Sequence, residues 1–227
     1  MTLNARPVRV PASIELLVFD LDGTLIDSKE DLVLSVNAVR GRMGLEPLAQ
    51  EKVAAYVGAG VTVLVRRALG ERATEEAVDQ GVQFFLDYYG AHMLDHTVTY
   101  PGVREALKGL EGRKLAVLTN KLVRFSQAIL AGLGIARYFA RVYGGNSFEQ
   151  KKPNPIGLLA IMREMNTLPA STMMVGDSET DVLTGRNAGV WTCGVTYGLA
   201  PETLKEAAPD FVLSHLEELP ALLDGEW

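Results

Sequence analysis

Leu16-Leu17-Val18-Phe19-Asp20-Leu21-Asp22-Gly23-Thr24-Leu25 is the stretch on which the reading of this chain turns. Four apolar residues run directly into two carboxylates separated by one residue. An unbroken apolar run of that length reads as a short strand buried on both faces, the habit of parallel sheets. In open α/β sheets, ligands sit beyond the carboxyl ends of the strands, which is where Asp20 and Asp22 fall. Two carboxylates held together repel unless something positive joins them. Mg²⁺, a hard cation that prefers oxygen ligands, suits that place. Gly23 lets the chain turn sharply, and Thr24 offers a hydroxyl. A bare Asp-x-Asp reads better as an acidic turn at the start of a helix. The strand before it and Gly-Thr-Leu after it favour a site.

Outward from this stretch, apolar or β-branched runs at 115–119, 141–143, 172–176 and 190–195 read as further strands, with an edge strand at 211–213. Helical patterns alternate with them, so the expected class is α/β, a Rossmann-like, mostly parallel sheet covered by helices. One interval breaks the alternation. Between Asp20 and Leu115 no strand is evident. Leu32, Val36, Val39 and Met43, then Val61, Leu64, Val65, Ala68 and Leu69, then Val78, Val82, Phe85, Leu86 and Tyr89 each follow helical spacing. A crossover needs one helix, and this interval holds more. The expected organisation is therefore a loose tail at 1–12, an α/β core at 13–27 and 99–227, and an inserted helical cap domain at 28–98. Ser28 with Asp31 suggests a capping box at the start of the insert. Pro101-Gly102 suggests its return point. Asn154-Pro155 reads as the N-cap and first residue of a helix running through Met165.

The bulk properties narrow the partners. Net charge is −6, so no basic excess is available for a nucleic-acid backbone. No segment has the apolar length of a membrane span, and Arg6 and Arg9 are followed by no signal-peptide core. The single cysteine, Cys193, excludes an internal disulfide, sits in an apolar run and reads as a core residue. A cytoplasmic protein, monomer or homodimer, is expected.

Four short motifs in order now carry a resemblance. Asp20-Leu21-Asp22-Gly23-Thr24-Leu25 resembles motif I of the haloacid dehalogenase superfamily. Thr119-Asn120 at the end of a strand resembles motif II, Lys152-Pro153 motif III, and Gly176-Asp177-Ser178-Glu179-Thr180-Asp181 motif IV. The resemblance covers nearly everything after residue 13. It implies a Mg²⁺-dependent phosphatase in which Asp20 attacks phosphorus and forms an aspartyl phosphate. Asp22 would protonate the leaving alcohol and then take a proton from water. Asp20, the Asp22 backbone carbonyl and Asp177 would hold the metal. Thr119, the Asn120 N–H and Lys152 would bind phosphoryl oxygens.

Other readings stay open for several of these residues. Thr119-Asn120 taken alone are ordinary strand-end residues, and Lys151-Lys152 taken alone a solvated pair. Pro153 holds Lys152 in extended backbone. Asp181 has both the position of a metal ligand and capping-box spacing to Ser178. In the insert, the Gly58-Ala59-Gly60 turn with Arg66 and Arg67 is a candidate substrate-binding element, although at least one arginine should face solvent. His92 and His96 have i, i+4 spacing but no further zinc ligands nearby, so they read as ordinary histidines.

Tyr56 to Leu69, Thr119-Asn120-Lys121, Tyr143 to Pro153 and Val195 to Gly198 resemble the phosphoglycolate phosphatases. Leu122, Asn146 and Asn154 depart from that pattern without removing a catalytic group. The implied substrate is a small phosphorylated metabolite, with 2-phosphoglycolate the leading candidate. A β-phosphoglucomutase-type mutase and a pyrophosphatase are the alternatives. A non-catalytic phosphate-binding protein on the same fold is a further alternative, and the presence of both Asp20 and Asp22 speaks against it.

Overall fold

The computed structural model describes residues 13–225. The expected tail at 1–12 lies outside the described residues. The chain builds strand β1 (Leu16–Phe19), a short strand β2 (Ile26–Asp27), helices α1 (Lys29–Arg42), α2 (Gln50–Ala54), α3 (Val61–Leu69) and α4 (Glu75–His92), then β3 (Val98–Thr99). It continues through α5 (Val103–Gly109), β4 (Lys114–Leu118), α6 (Val123–Gly132), β5 (Arg141–Tyr143) and α7 (Ile156–Met165). The last elements are β6 (Thr172–Gly176), α8 (Glu179–Ala188), β7 (Trp191–Val195), α9 (Leu204–Ala207), β8 (Phe211–Leu213) and α10 (Leu219–Asp224).

Six strands form one sheet in the order β5-β4-β1-β6-β7-β8, with every pairing parallel. All six stand within a residue of their expected places. Successive side chains point to opposite faces of a strand, and both faces are covered. Leu17, Phe19, Val117 and Val175 pack with Leu107, Ile129 and Leu222 on one side. Leu16, Val18, Ala116 and Met174 pack with Leu158 and Ile161 of α7 on the other. This two-sided burial explains why β1 is apolar at consecutive positions rather than alternating. Cys193 is buried in the first of these layers, as its sequence context suggested.

The register decides where chemistry can happen. Phe19 lies opposite Val117 on one side and Val175 on the other, so β1, β4 and β6 end at one level. The chain winds outward from β1 to β4 and β5, then crosses back to β6. That reversal opens a crevice at the carboxyl end of β1.

The helical insert leaves and rejoins this rim through a ribbon that the sequence did not reveal. β2 and β3 pair antiparallel, Ile26 with Thr99 and Asp27 with Val98. Strands of two residues have no period to read. Within the insert, Val36, Val39, Val65, Leu69, Val78 and Phe85 share a core. Gly81 of α4 permits that packing, because a Cβ there would stand 2.8 Å from Val65 and 3.3 Å from Val39.

Two helix starts differ from expectation. Asn154 does act as a cap, its Oδ1 accepting from the Ile156 N–H at 3.0 Å, but α7 begins one residue after Pro155. The Ser28–Asp31 capping box is absent. The Ser28 hydroxyl instead donates to Asp22 at 2.5 Å. Asp31 turns to the returning chain and accepts from the N–H groups of His96 and Thr97, from the Thr97 hydroxyl at 2.7 Å and from His96 Nδ1 at 2.9 Å. A buried carboxylate with these donors is worth more to the fold than a helix cap, and it ties the two ends of the insert together.

Burial works against the charge of Asp31, but the bonds from Thr97 and His96 outweigh it and hold the carboxyl below its ordinary 3.8. The bond to Asp31 draws exposed His96 above its ordinary 6.5. The Asp31 contribution is therefore complete above 3.8 and lost as pH falls through the depressed value. The His96 contribution is complete below 6.5 and fades as pH rises through the raised one. We expect Asp31→Asn to lower stability by about 2 kcal/mol and Tm by roughly 4–8 °C near pH 5. Thermal melts across pH should show that difference shrinking in acid; a constant difference down to pH 2 would contradict this account.

Candidate active site

Asp20 follows the last residue of β1, and its N–H donates to the Val175 carbonyl at 2.9 Å, continuing the sheet one step past the strand. Its side chain therefore emerges at the rim. Gly23 follows with φ +88°, and a Cβ there would lie 2.3 Å from an Asp177 oxygen. The motif needs glycine for both reasons, conformation and close approach. Gly198 clasps the same carboxylate from the other side, where a Cβ would again fall 2.3 Å from Asp177.

Asp177 is 2% exposed. It accepts from the Thr24 hydroxyl at 3.3 Å and from the backbone N–H groups of Leu199 and Ala200 at 2.7 and 3.2 Å. Thr24 is thus a buried support for Asp177 and does not line the cavity, which corrects its assignment to substrate. A threonine after a turn signals a hydroxyl but not its direction.

Lys152 stands between two carboxylates, 2.8 Å from Asp20 and 2.6 Å from Asp181. Burial opposes its charge, but Asp181 and Asp20 outweigh that and hold it firmly protonated. Oxygens of Asp20, Asp177 and Asp181 all lie within 4.8 Å of one another, the only such group among the described residues. One ammonium does not neutralise three carboxylates. Burial, then the neighbouring charges, pushes Asp177 up to about 8. Burial likewise raises Asp20 to about 6, against the pull of Lys152. The Lys152 contact engages only Oδ1 of Asp20. Three hard carboxylate donors with excess negative charge fit a divalent cation such as Mg²⁺.

The contributions to that group are unequal. Asp181 has one oxygen on Lys152 and the other accepting from the Ser178 N–H and hydroxyl, so it supports Lys152 and the start of α8 together. The Asp22 carboxylate lies outside the group. It is held by Lys121 at 2.8 and 3.0 Å and by Ser28, leaving the backbone carbonyl as its possible metal donor.

These residues open onto a cavity of about 360 Å³ between the sheet rim and the helical insert. Asp20, Asp22, Thr119, Asn120 and Asp177 line the rim side; Gly58, Gly60, Leu64, Arg67 and Tyr89 line the insert side. Asn120 joins the two. Its side-chain amide donates to the Gly58 carbonyl at 2.8 Å and to the Lys152 carbonyl at 3.1 Å, and its Oδ1 accepts from the Lys152 N–H at 3.0 Å. Gly60 packs where a Cβ would meet Lys151. Arg67 is exposed at the cavity edge. Arg66 is not part of it: its guanidinium forms a two-pronged pair with Glu75 at 2.7 and 2.8 Å on the outer surface. The lining residues Val61, Leu64 and Arg67 recur every third position, so Arg66 falls on a neighbouring face. His92 and His96 pair with Asp95 and Asp31, away from any metal-like group.

Lys121 and Tyr89 were not singled out as site residues. The ammonium of Lys121 stands 4.7 Å from the Tyr89 ring centroid. The position of Lys121 just after Thr119-Asn120 was its one available signal. Tyr89 reads from sequence only as part of an apolar helix face.

A sequence model of the haloacid dehalogenase-like hydrolases matches residues 17–195. The phosphoglycolate phosphatase of Vibrio parahaemolyticus serotype O3:K6 is 40% identical over 217 residues, covering 91% of this chain and 94% of its own length. That of Pseudomonas fluorescens (strain Pf0-1) is 42% identical over 220 residues, covering 92% and 80%. A crystal structure of a predicted phosphoglycolate phosphatase from Haemophilus somnus 129PT has a TM-score of 0.86 at 31% identity, covering 90% of this chain and 96% of that one. With its parallel sheet, its four motifs at the rim and relatives of this identity along most of its length, the chain belongs to the haloacid dehalogenase-like hydrolases.

Proposed function

We propose that this chain is a cytoplasmic, Mg²⁺-dependent phosphatase that hydrolyses a small phosphorylated metabolite, with 2-phosphoglycolate as the leading substrate. The observation that carries the reading is Asp20. Its carboxylate lines the crevice beyond the end of β1, with Lys152 2.8 Å from one oxygen and Asp22 in the same cavity. The names of the bacterial relatives favour 2-phosphoglycolate.

In the first step an Asp20 oxygen bonds to phosphorus while the bond from phosphorus to the ester oxygen breaks. Asp22 gives that oxygen its proton, and the alcohol leaves. In the second step water attacks phosphorus, its proton returns to Asp22, and the acyl-phosphate bond breaks to release inorganic phosphate and free Asp20. Lys152, the Thr119 hydroxyl and the Asn120 N–H would hold the equatorial phosphoryl oxygens through both displacements. Bound Mg²⁺ supplies the charge that offsets repulsion between a carboxylate nucleophile and a phosphate dianion. Asn120 fixes the Lys152 backbone and latches the Gly58 turn over the cavity, which limits water at the reacting centre.

Asp20→Asn should reduce turnover of a chromogenic phosphomonoester by at least about 10³-fold with Mg²⁺ present; equal rates from both proteins would end the enzyme reading. Asp177→Asn should raise the Mg²⁺ concentration needed for half-maximal rate by at least roughly tenfold, and an unchanged requirement would remove Asp177 from the ligand set. Asn120→Ala should lower kcat/KM by about 10–100-fold through loss of Lys152 placement and the latch, measured in the same assay. A ranking of kcat/KM over 2-phosphoglycolate, pyrophosphate and hexose phosphates tests the substrate.

A further inference from the structure

Tyr89 belongs to the insert, is 1% exposed, and lines the cavity. Its hydroxyl meets the Lys121 ammonium, which can only donate, so the hydroxyl's own proton has no acceptor in the fold. The ring is held at a fixed place, stacked on Phe85 at 5.4 Å and edge-on to Phe125 of the core at 5.4 Å. A buried donor that the fold leaves unpaired, on a ring that cannot swing away, calls for a partner inside the cavity. Lys121 is its neighbour. Two of the ammonium's contacts go to Asp22 and a third to the Tyr89 hydroxyl, so what Lys121 offers a ligand is its positive charge.

We propose that the Tyr89 hydroxyl and the Lys121 ammonium form a subsite for a carboxylate carried by the leaving group. The proposal rests on the phosphatase reading above and makes its substrate class specific: phosphate esters of short hydroxy acids. The leaving oxygen must lie within hydrogen-bond reach of Asp22. In an ester of glycolate the carboxylate stands only two bonds from that oxygen, so it lies beside whatever touches Asp22. Two carboxylates at that spacing repel, and Lys121 is the cation placed to sit between them, 2.8 Å from Asp22. Arg67, the other cation lining the cavity, is exposed at its edge and has its own contact to the Tyr56 carbonyl at 3.4 Å. On the phosphatase reading the phosphoryl group goes to Lys152 and Thr119, so the two anionic ends of one small molecule would have separate partners.

The test compares wild type with Tyr89→Phe on two esters, 2-phosphoglycolate and ethyl phosphate, which differ in the carboxylate. Tyr89→Phe should lose about tenfold in kcat/KM on 2-phosphoglycolate and change less than about twofold on ethyl phosphate. Equal loss on both esters, no loss on either, or a selective loss with Arg67→Ala in its place would overturn the subsite. Wild type that turns over both esters equally would remove the substrate class as well, whereas a preference undiminished from wild type in Tyr89→Phe would remove the subsite alone. Binding gives an answer that does not depend on turnover. The phosphonate in which a methylene replaces the ester oxygen of 2-phosphoglycolate should bind Tyr89→Phe about tenfold more weakly than wild type, while propylphosphonate binds both alike. Because the hydroxyl donates to nothing in the fold and Lys121 keeps its two contacts to Asp22, the variant should melt close to wild type. A Tm fall beyond about 4 °C would mean that the hydroxyl is already committed within the protein, and would overturn the proposal.

Discussion

Lys152 lies between Asp20 and Asp181 at 2.8 and 2.6 Å, and the site is organised around that arrangement. Carboxylates buried together at the end of a strand would repel or take up protons, and both tendencies show in the raised values of Asp20 and Asp177. One ammonium relieves part of the charge and leaves the rest for a cation. Removing one partner from a buried charged assembly typically costs about 3–5 kcal/mol. The surrounding chain is built to keep these partners in place. Asp181 is held by Ser178, Asp177 by two backbone amides and Thr24, and the Lys152 backbone by Asn120.

The parallel sheet makes this concentration of charge feasible. β1, β4 and β6 end at one level, so residues far apart in the chain meet beyond their ends. The crevice at the reversal of winding gives the charges access to a ligand, while the apolar layers on both faces keep the strand ends rigid. The insert completes the enclosure. The Gly58 carbonyl accepts from Asn120, and Asn120 also fixes Lys152, so the covering turn and that buried lysine share one side chain. Closure over the cavity and placement of that lysine are thereby coupled through three hydrogen bonds.

The two sides of the cavity divide the chemical work. The rim has Asp20 and Asp22, the proposed nucleophile and acid–base group, and the charges suited to a phosphoryl group. The insert contributes a mostly apolar wall, with Arg67 at the edge and Tyr89 within. Such a division separates what a whole superfamily can share from what selects one ester over another, and it explains why fold alone does not name a substrate.

The central strand, the Asp-x-Asp turn, the six-stranded parallel sheet and the helical nature of residues between Asp20 and Leu115 could all be read from the chain itself. Each rests on local periodicity or on a motif whose members are adjacent in sequence. The placing of Asp20, Asp22, Thr119 and Asp177 at or just past strand ends, and of Lys152 in a loop before a helix, was readable for the same reason. What only the tertiary structure decided were the directions of side chains and the pairings across long separations. Arg66 and Arg67 are neighbours in sequence, yet the helix turns one to Glu75 and the other to the cavity. Thr24 and Asp31 have the right chemistry for substrate and cap, but stronger partners 153 and 65 or more residues away claim them. Lys121 and Tyr89 meet across the junction of insert and core, and no local pattern encodes a contact between parts that touch only after both have folded.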